Sequence, residues 1–505
     1  MRGEKLFKWG IRGIDGISVI FFLLITVCIL FDNKSSNLYS VSGQLLAVCV
    51  TLAILLIVAA ALKKWEKRIS AYVDKNYRRI LTIVFLLLAA IQVYLVTALS
   101  APIGWDVKAV VGVAAGLDYA QTSYYQQYYF SAYPNNMLLL VLVRNIVNIF
   151  GSEQIWLILS FLNILAIDSA ILMIFFVVRR CLGNTYGLVG VAFSIALYGL
   201  FGWMIVPYSD TLVMPFITGA WLVFQKIREE DSPQKKYGWM ALSALLVFAG
   251  YLVKPTAVIL WIAYVIIQVL YLFRQKKRLH LLLYLLIFGV CFWGLNAGWS
   301  AYKQRQNVLP VYYSNVSVPM THFIMMGLNQ ETYGAYLTED ALYTESFLTT
   351  QDKMEANMPV IRQRLGQMLS EGTYLNFLYN KLNRVYCEGD FFWGKEGNFA
   401  SFDYENGHTF IKSIYYPEGS RHGIYLYVTQ GIWVAALLLA TGGWNSKMRE
   451  DCTLAHLTII GITLFLLIFE MRSRYLIPFL PIFSAAAVFG LEGYVTMKEI
   501  RRKTL

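Results

Sequence analysis

Trp105-Asp106 stands just past the end of an apolar run, and Tyr133-Pro134-Asn135-Asn136 follows less than thirty residues later. Between the two lie Tyr119, Tyr124, Tyr125, Tyr128 and Tyr129. A carboxylate at the mouth of a helix bundle, beside rings able to stack on a sugar, suggests chemistry rather than anchoring. Asp106 is the candidate general base toward a hydroxyl acceptor. Trp105, Tyr133, Asn135 and Asn136 are its candidate substrate contacts.

More polar groups collect at the ends of other apolar runs: Lys108, Pro207-Tyr208-Ser209-Asp210, Lys254-Pro255-Thr256 and Glu470-Met471-Arg472-Ser473-Arg474-Tyr475. An unpaired charge near hydrocarbon costs at least ~2.5–3.5 kcal/mol, so these groups must pair with one another or with a charged ligand. The cations Lys108, Arg144, Lys254, Arg472 and Arg474 are nearly all the positive charge expected on that side outside one large loop. A phosphate is the simplest explanation of their gathering, with Arg472, Arg474 and Lys254 as its candidate ligands. Tyr208, Asp210 and Tyr475 join the substrate contacts. A sugar carried on a polyprenyl phosphate matches this set: base, stacking rings and cations on the leaving group, with single displacement inverting the anomeric centre.

Each residue also has a structural use. Asparagine caps helices well, so Asn135-Asn136 suits the start of the helix that follows. Asp210, after Pro207, suits an N-cap, and Lys254-Pro255 suits a tight turn. Asp168, inside an apolar run, reads as a buried hydrogen-bonded group. Glu388-Gly389-Asp390, Trp393, His322 and Arg421 come with no mechanism.

The elements that position these residues are membrane helices. The chain has 505 residues, 57% hydrophobic and 15% charged, with a mean hydropathy of +0.52, values of an integral membrane protein. Apolar runs long enough to cross a bilayer fall near 17–31, 43–62, 80–99, 155–178, 186–206, 211–227, 237–253, 256–273, 279–299, 422–441, 453–470 and 476–495. The first, ended by Asp32-Asn33-Lys34, reads as a retained helix. The expectation is an all-α polytopic fold of about 12 transmembrane helices with both termini on one side.

Net charge is +12, and its distribution excludes nucleic acid. The segments placed in the cytoplasm (the N-terminal tail, Lys63–Arg79, Arg179-Arg180, Lys226–Lys236, Arg274–Arg278, Lys447–Arg449 and the C-terminal tail) hold 27 of the 43 Lys and Arg. That is the positive-inside bias. Met137 to Phe150 would invert the later helices if it crossed, and Arg144, Asn145 and Asn148 give it a polar face. It reads as an amphipathic helix on the outer surface. Six scattered cysteines make no disulfide framework, and five dispersed histidines make no zinc motif.

The pattern resembles the GT-C superfamily of multi-spanning glycosyltransferases that use lipid-phosphosugars, among them protein O-mannosyltransferases and the aminoarabinose transferase. In that family a first external loop carries the catalytic aspartate and continues through surface helices. Trp105-Asp106 stands in the aspartate position, and Tyr133-Pro134-Asn135-Asn136 resembles the segment opening the second surface helix. Phe150-Gly151-Ser152-Glu153, a span ending in Arg179-Arg180 and a further span leading to Tyr208-Ser209-Asp210 follow the same order. The resemblance covers roughly residues 80–300, and Arg472–Pro478 more weakly. No WWD-type motif of the oligosaccharyltransferase is present. Asn135-Asn136 replaces the acidic or His-Pro residues of relatives, so no cofactor is assigned and a divalent cation stays open.

The resemblance implies four parts: two added N-terminal helices (1–79), a GT-C-like core (80–299) with external loop 100–154, a large extracytoplasmic loop domain (300–421), and C-terminal helices (422–505). It implies a bacterial cell-membrane enzyme with its active site outside, probing the bilayer for a polyprenyl-phosphate sugar. The acceptor would be a cell-wall or other envelope polysaccharide, teichoic acid, glycolipid or protein. Two other readings stand beside it: a transporter or flippase of a lipid-linked saccharide, and an envelope polysaccharide polymerase or ligase. Transporters carry repeated halves and midplane sites; here no repeat is visible and the charges sit at helix ends.

Overall fold

The computed structural model describes residues 2–31, 39–274, 278–396, 407–446 and 449–504, in which helices are joined by turns and loops with no strand among them. Parts of the basic segments Arg274–Arg278 and Lys447–Arg449, and the turn Asp32-Asn33-Lys34, lie outside the described residues. Ten helices among the described residues are long and apolar enough to cross a membrane. They begin with α1 (Arg2–Phe31), α2 (Val41–Lys64) and α3 (Glu66–Leu99). Ser40 caps α2 by accepting from the Gly43 amide at 3.1 Å. α3 is one unbroken helix of 34 residues, so the boundary expected at residue 79 falls within it.

Two short helices follow α3. α4 (Trp105–Ala115) ends at Gly116, whose φ of +69° is the left-handed conformation that glycine adopts without cost. α5 (Met137–Phe150) buries Met137, Leu140, Val143 and Ile146 and packs against α4. Its outer side exposes Leu142, Ile149 and Phe150, the arrangement of a helix lying in an interface.

The runs expected near 186–206 and 211–227 form helices too short to span as single rods. After α6 (Ile155–Leu182), α7 (Asn184–Ser194) passes into a π-helical turn ending at Gly199 and a 3-10 turn over Gly202–Ile205. The chain restarts at Ser209–Leu212 and continues as α8 (Met214–Glu229). Gly199, Gly202 and Pro207 interrupt the run, and the freed carbonyls find a donor on α6. Asn163 Nδ2 lies 2.9–3.0 Å from the carbonyls of Trp203, Met204 and Val206. Irregular backbone at this depth survives only with such partners. The break brings Tyr208 and Asp210 to the bundle's end.

α9 (Pro233–Val253), α10 (Val258–Arg274) and α11 (Arg278–Arg305) follow, with a 3-10 turn at Pro255–Ala257. α11 runs past residue 300, so the helix extends into the expected loop domain. That region then forms α12 (Met320–Gly327), α13 (Thr338–Glu345), α14 (Thr350–Ser370), α15 (Tyr374–Tyr386) and α16 (Thr409–Tyr415). The capping box of Thr349 and Asp352 starts α14. The last helices are α17 (His422–Ala440), α18 (Arg449–Ile468) and α19 (Leu480–Thr504). Residues Leu476 to Gly490 are all buried, which makes α19 the centre of the bundle. The N-terminal helices pack on this C-terminal group, α1 against α10, α17 and α18, and α2 against α17.

Candidate functional site

Asp106 sits in the first turn of α4, where free backbone N–H groups favour a negative charge. The Tyr129 hydroxyl donates to its Oδ1 at 2.6 Å, and the Tyr208 hydroxyl to its Oδ2 at 3.0 Å. Asn136 ties the phenols together: its Nδ2 donates to the Tyr129 oxygen at 2.9 Å, and its Oδ1 lies 3.0 Å from the Tyr208 hydroxyl. Burial, and then the neighbouring carboxylate, raises both phenols well above the ordinary tyrosine range. Both are therefore donors at neutral pH. A carboxylate offers about four lone-pair sites, so two accepted bonds leave room for a substrate hydroxyl.

Trp105 holds φ at +44°, a left-handed conformation costly for a large side chain. Its ring meets Tyr208 edge-on at 4.9 Å. The Arg474 guanidinium lies over the same ring, 4.3 Å from its centroid. Arg474 reaches Asp210 at 3.2 Å and Glu396 at 2.9 Å. Lys254 lies 2.5 Å from the other oxygen of Asp210, and Arg472 3.8 Å from Glu396. Three cations thus share two carboxylates in a chain Lys254–Asp210–Arg474–Glu396–Arg472. Tyr475 lies beneath it, its ring 4.7 Å from the Lys254 ammonium and its hydroxyl donating to Glu470 at 2.9 Å. Burial raises the Glu470 carboxyl, against the Tyr475 bond and the two arginines.

The arrangement brings Trp105, Asp106, Asn136, Tyr208, Asp210, Lys254, Arg472, Arg474 and Tyr475 into one cluster. Asn135 joins at its margin, donating to Asn136 Oδ1 at 3.3 Å. Tyr133 stands one layer back: its ring is 5.4 Å from Tyr129, and its hydroxyl donates to Glu345 at 2.7 Å. Two structural expectations are corrected. Asn136 occupies the N-cap position of α5 but makes no side-chain cap bond, because its amide serves the two tyrosines. Asp210 lies inside its helical turn, after an N-cap at Tyr208, and its carboxylate is taken by Lys254 and Arg474. Two of the five cations stand elsewhere. Lys108 lies over the Tyr119 ring at 4.7 Å, and Arg144 donates to the Val113 carbonyl at 3.0 Å.

The remaining candidates are structural. Asp168 accepts from Gln92 at 2.9 Å. Glu388 and Asp390 pair with Lys395. His322 bonds Thr344, and Arg421 bonds Ser413. Sequence reasoning missed Tyr129 as a direct partner of Asp106, and it missed Glu345 and Glu396 altogether. Both glutamates come from a polar region where carboxylates are ordinary.

The loop region also holds the arginine segment in place. Lys381 Nζ donates to the carbonyls of Gly327 and Phe469 at 2.5 and 2.7 Å. The amides of Glu470 and Met471 donate to Phe323 and Gly334, both at 2.8 Å, and Ser473 Oγ to Arg384 at 3.0 Å. A Cβ on Gly327 would come within 2.5 Å of the Phe469 backbone, so this approach requires glycine.

Among the described residues no group of three His, Cys, Asp or Glu gathers as a metal site. Beside Asp106 stand an amide and two phenols, and Asp210 and Glu396 are neutralised by cations. Around Asp106 the residues present offer a divalent cation a single carboxylate not paired with a cation, which is too few to hold one.

A family model described as conserved hypothetical integral membrane protein matches residues 11–493. No curated protein sequence matches the chain significantly. Among solved structures, the chain is similar to ArnT from Cupriavidus metallidurans in the apo state, at 12% identity over 82% of this chain and 78% of that one. The TM-score is 0.31.

Proposed function

The chain belongs to the family of conserved hypothetical integral membrane proteins, and on that premise we propose that it is a membrane glycosyltransferase of GT-C type. It moves a sugar from a polyprenyl-monophosphate donor to an acceptor hydroxyl outside the cytoplasmic membrane. The observation that carries this reading is the adjacency of two groups. Asp106 is a carboxylate with acceptor capacity to spare, and Arg474, stacked on the neighbouring Trp105, heads a set of three cations.

The chemistry follows from that adjacency. The bond from the anomeric carbon to the phosphate oxygen breaks, and its electron pair leaves with the phosphate. The acceptor oxygen bonds to the opposite face of the same carbon, which inverts it. Asp106 takes the acceptor's proton as the new bond forms. Arg474, Arg472 and Lys254 stabilise the charge that gathers on the departing phosphate. Trp105 and Tyr208 offer ring faces and edges to the sugar. Glu396 is shared by two guanidinium groups, and in this reading the donor's phosphate would compete with it for them.

The test is protein in lipid with a panel of labelled polyprenyl-phosphate sugars, wild type against Asp106→Asn. Wild type should cleave one donor, and the variant should be slower by about 10²–10⁴-fold while still binding it. Donor crossing the bilayer intact, with Asp106→Asn unchanged, would replace the enzyme by a transporter.

A further inference from the structure

At the end of the bundle opposite Asp106, the termini of α1, α6, α8, α10 and α18 enclose a cavity of about 880 Å³. Its volume lies in the range of ligand sites, roughly 300–1,000 Å³. The reaction proposed above makes no use of it.

Most of its charges cancel. Arg228 pairs with Asp451 at 2.6 Å, Arg274 with Glu450 at 3.4 Å, and Arg180 with Glu229. Two cations in the lining do not cancel. Arg12 on α1 and Lys236 on α9 have no carboxylate partner among the described residues, against one lining carboxylate, Asp231, that is likewise unpaired. A third donor stands with them: Gln268 Nε2, on α10, is buried and has no hydrogen-bond partner. A buried amide donor left unpaired is costly. The lining carries six Lys and Arg against four Asp and Glu, and this positive excess with an unsatisfied donor calls for an anion rich in acceptor oxygens.

The rest of the wall says where that anion comes from. Phe7, Ile11 and Leu281 supply apolar surface, and on α11 Leu281 is flanked by the exposed leucines Leu279 and Leu282. The cavity therefore opens beside lipid-facing helix, at the depth of headgroups. Basic pockets between membrane helices hold phosphate-bearing headgroups for this reason. We propose that this cavity is a binding site for an organic phosphate, supplied by the headgroup of an anionic lipid, with Arg12, Lys236 and Gln268 as its ligands. The site is separate from the Asp106 cluster and does not depend on the reaction assigned there.

The test uses full-length protein in nanodiscs of phosphatidylcholine with a minority of phosphatidylglycerol, released into native mass spectrometry. Wild type should retain one phosphatidylglycerol. The Arg12→Gln/Lys236→Gln variant should retain about tenfold less, one such interaction's worth of affinity, and Gln268→Leu should fall severalfold. Unchanged thermal unfolding in pure phosphatidylcholine establishes that the variants are folded. A parallel arm adds glycerol phosphate. If it raises the unfolding midpoint of wild type but not of the double variant, and no lipid is retained, the phosphate chemistry stands and the source is soluble. Equal retention by wild type and all variants, or binding of neither probe, overturns the site.

Discussion

Tyr208 places its hydroxyl 3.0 Å from Oδ2 of Asp106, across 102 residues of sequence. The contact exists because the chain breaks out of helix between Gly199 and Ser209, and Asn163 holds the broken segment by three carbonyls. A polar break in one membrane helix thus orients the candidate base on another.

That orientation can be measured. Tyr208→Phe and Tyr129→Phe each remove one hydrogen bond to a charged acceptor, worth about 1.5–3 kcal/mol. Turnover should fall about 10–100-fold in each, with donor KM nearly unchanged, because the base is displaced while the cations are intact. A loss as large as that of Asp106→Asn would make the phenols chemical participants. No loss would detach them from the site.

Arg474 offers a planar group to a ring and to two carboxylates together. Lysine keeps the charge but can neither stack nor fork in that way. Arg474→Lys should raise donor KM about tenfold or more, while Arg472→Lys, whose partner lies 3.8 Å away, should change it less. Equal effects would remove Arg474 from its central place.

Lys381 gives a pH test of the junction between loop domain and arginine segment. Burial brings its ammonium down to about 7, with the Glu470 charge acting against this, from an unfolded value of about 10.4. Below 7 both states carry the proton, and the cost of burying the charge is complete. Between about 7 and 10 only the unfolded chain holds it, so stability rises with pH by on the order of 2–4 kcal/mol. The neutral amine still has two N–H bonds for the carbonyls of Gly327 and Phe469. Unfolding midpoints taken across that range should climb in wild type and stay flatter in Lys381→Met. Parallel curves would mean that Lys381 does not titrate there.

Much of this site is legible in sequence for one reason. Asp106, Asp210, Lys254, Arg472 and Arg474 are charges at the ends of apolar runs, where membrane partition disfavours them, so each stands out. What pairs with what is not legible. Asp210 looks like a cap and is a counterion, and Asn136 looks like a cap and is a clamp on two phenols. The helix interruption at 199–208 is signalled only by Gly199, Gly202 and Pro207 inside an apolar run. Its purpose depends on Asn163, forty residues away. Glu345 and Glu396 carry no signal, because a carboxylate in a polar loop breaks no rule.

Glu396 supplies the last prediction. Its carboxylate lies between Arg474, at 2.9 Å, and Arg472, at 3.8 Å, as a phosphate oxygen would. If it stands in for the donor's phosphate, Glu396→Gln removes a competitor and frees the two guanidinium groups it shares. Donor KM should then fall by about three- to tenfold, and inorganic pyrophosphate should raise the unfolding midpoint more in the variant than in wild type. If Glu396 instead holds the two arginines in place, the same substitution frees them and donor KM rises. The sign of the change decides between a stand-in and a brace, and a rise would sink the stand-in.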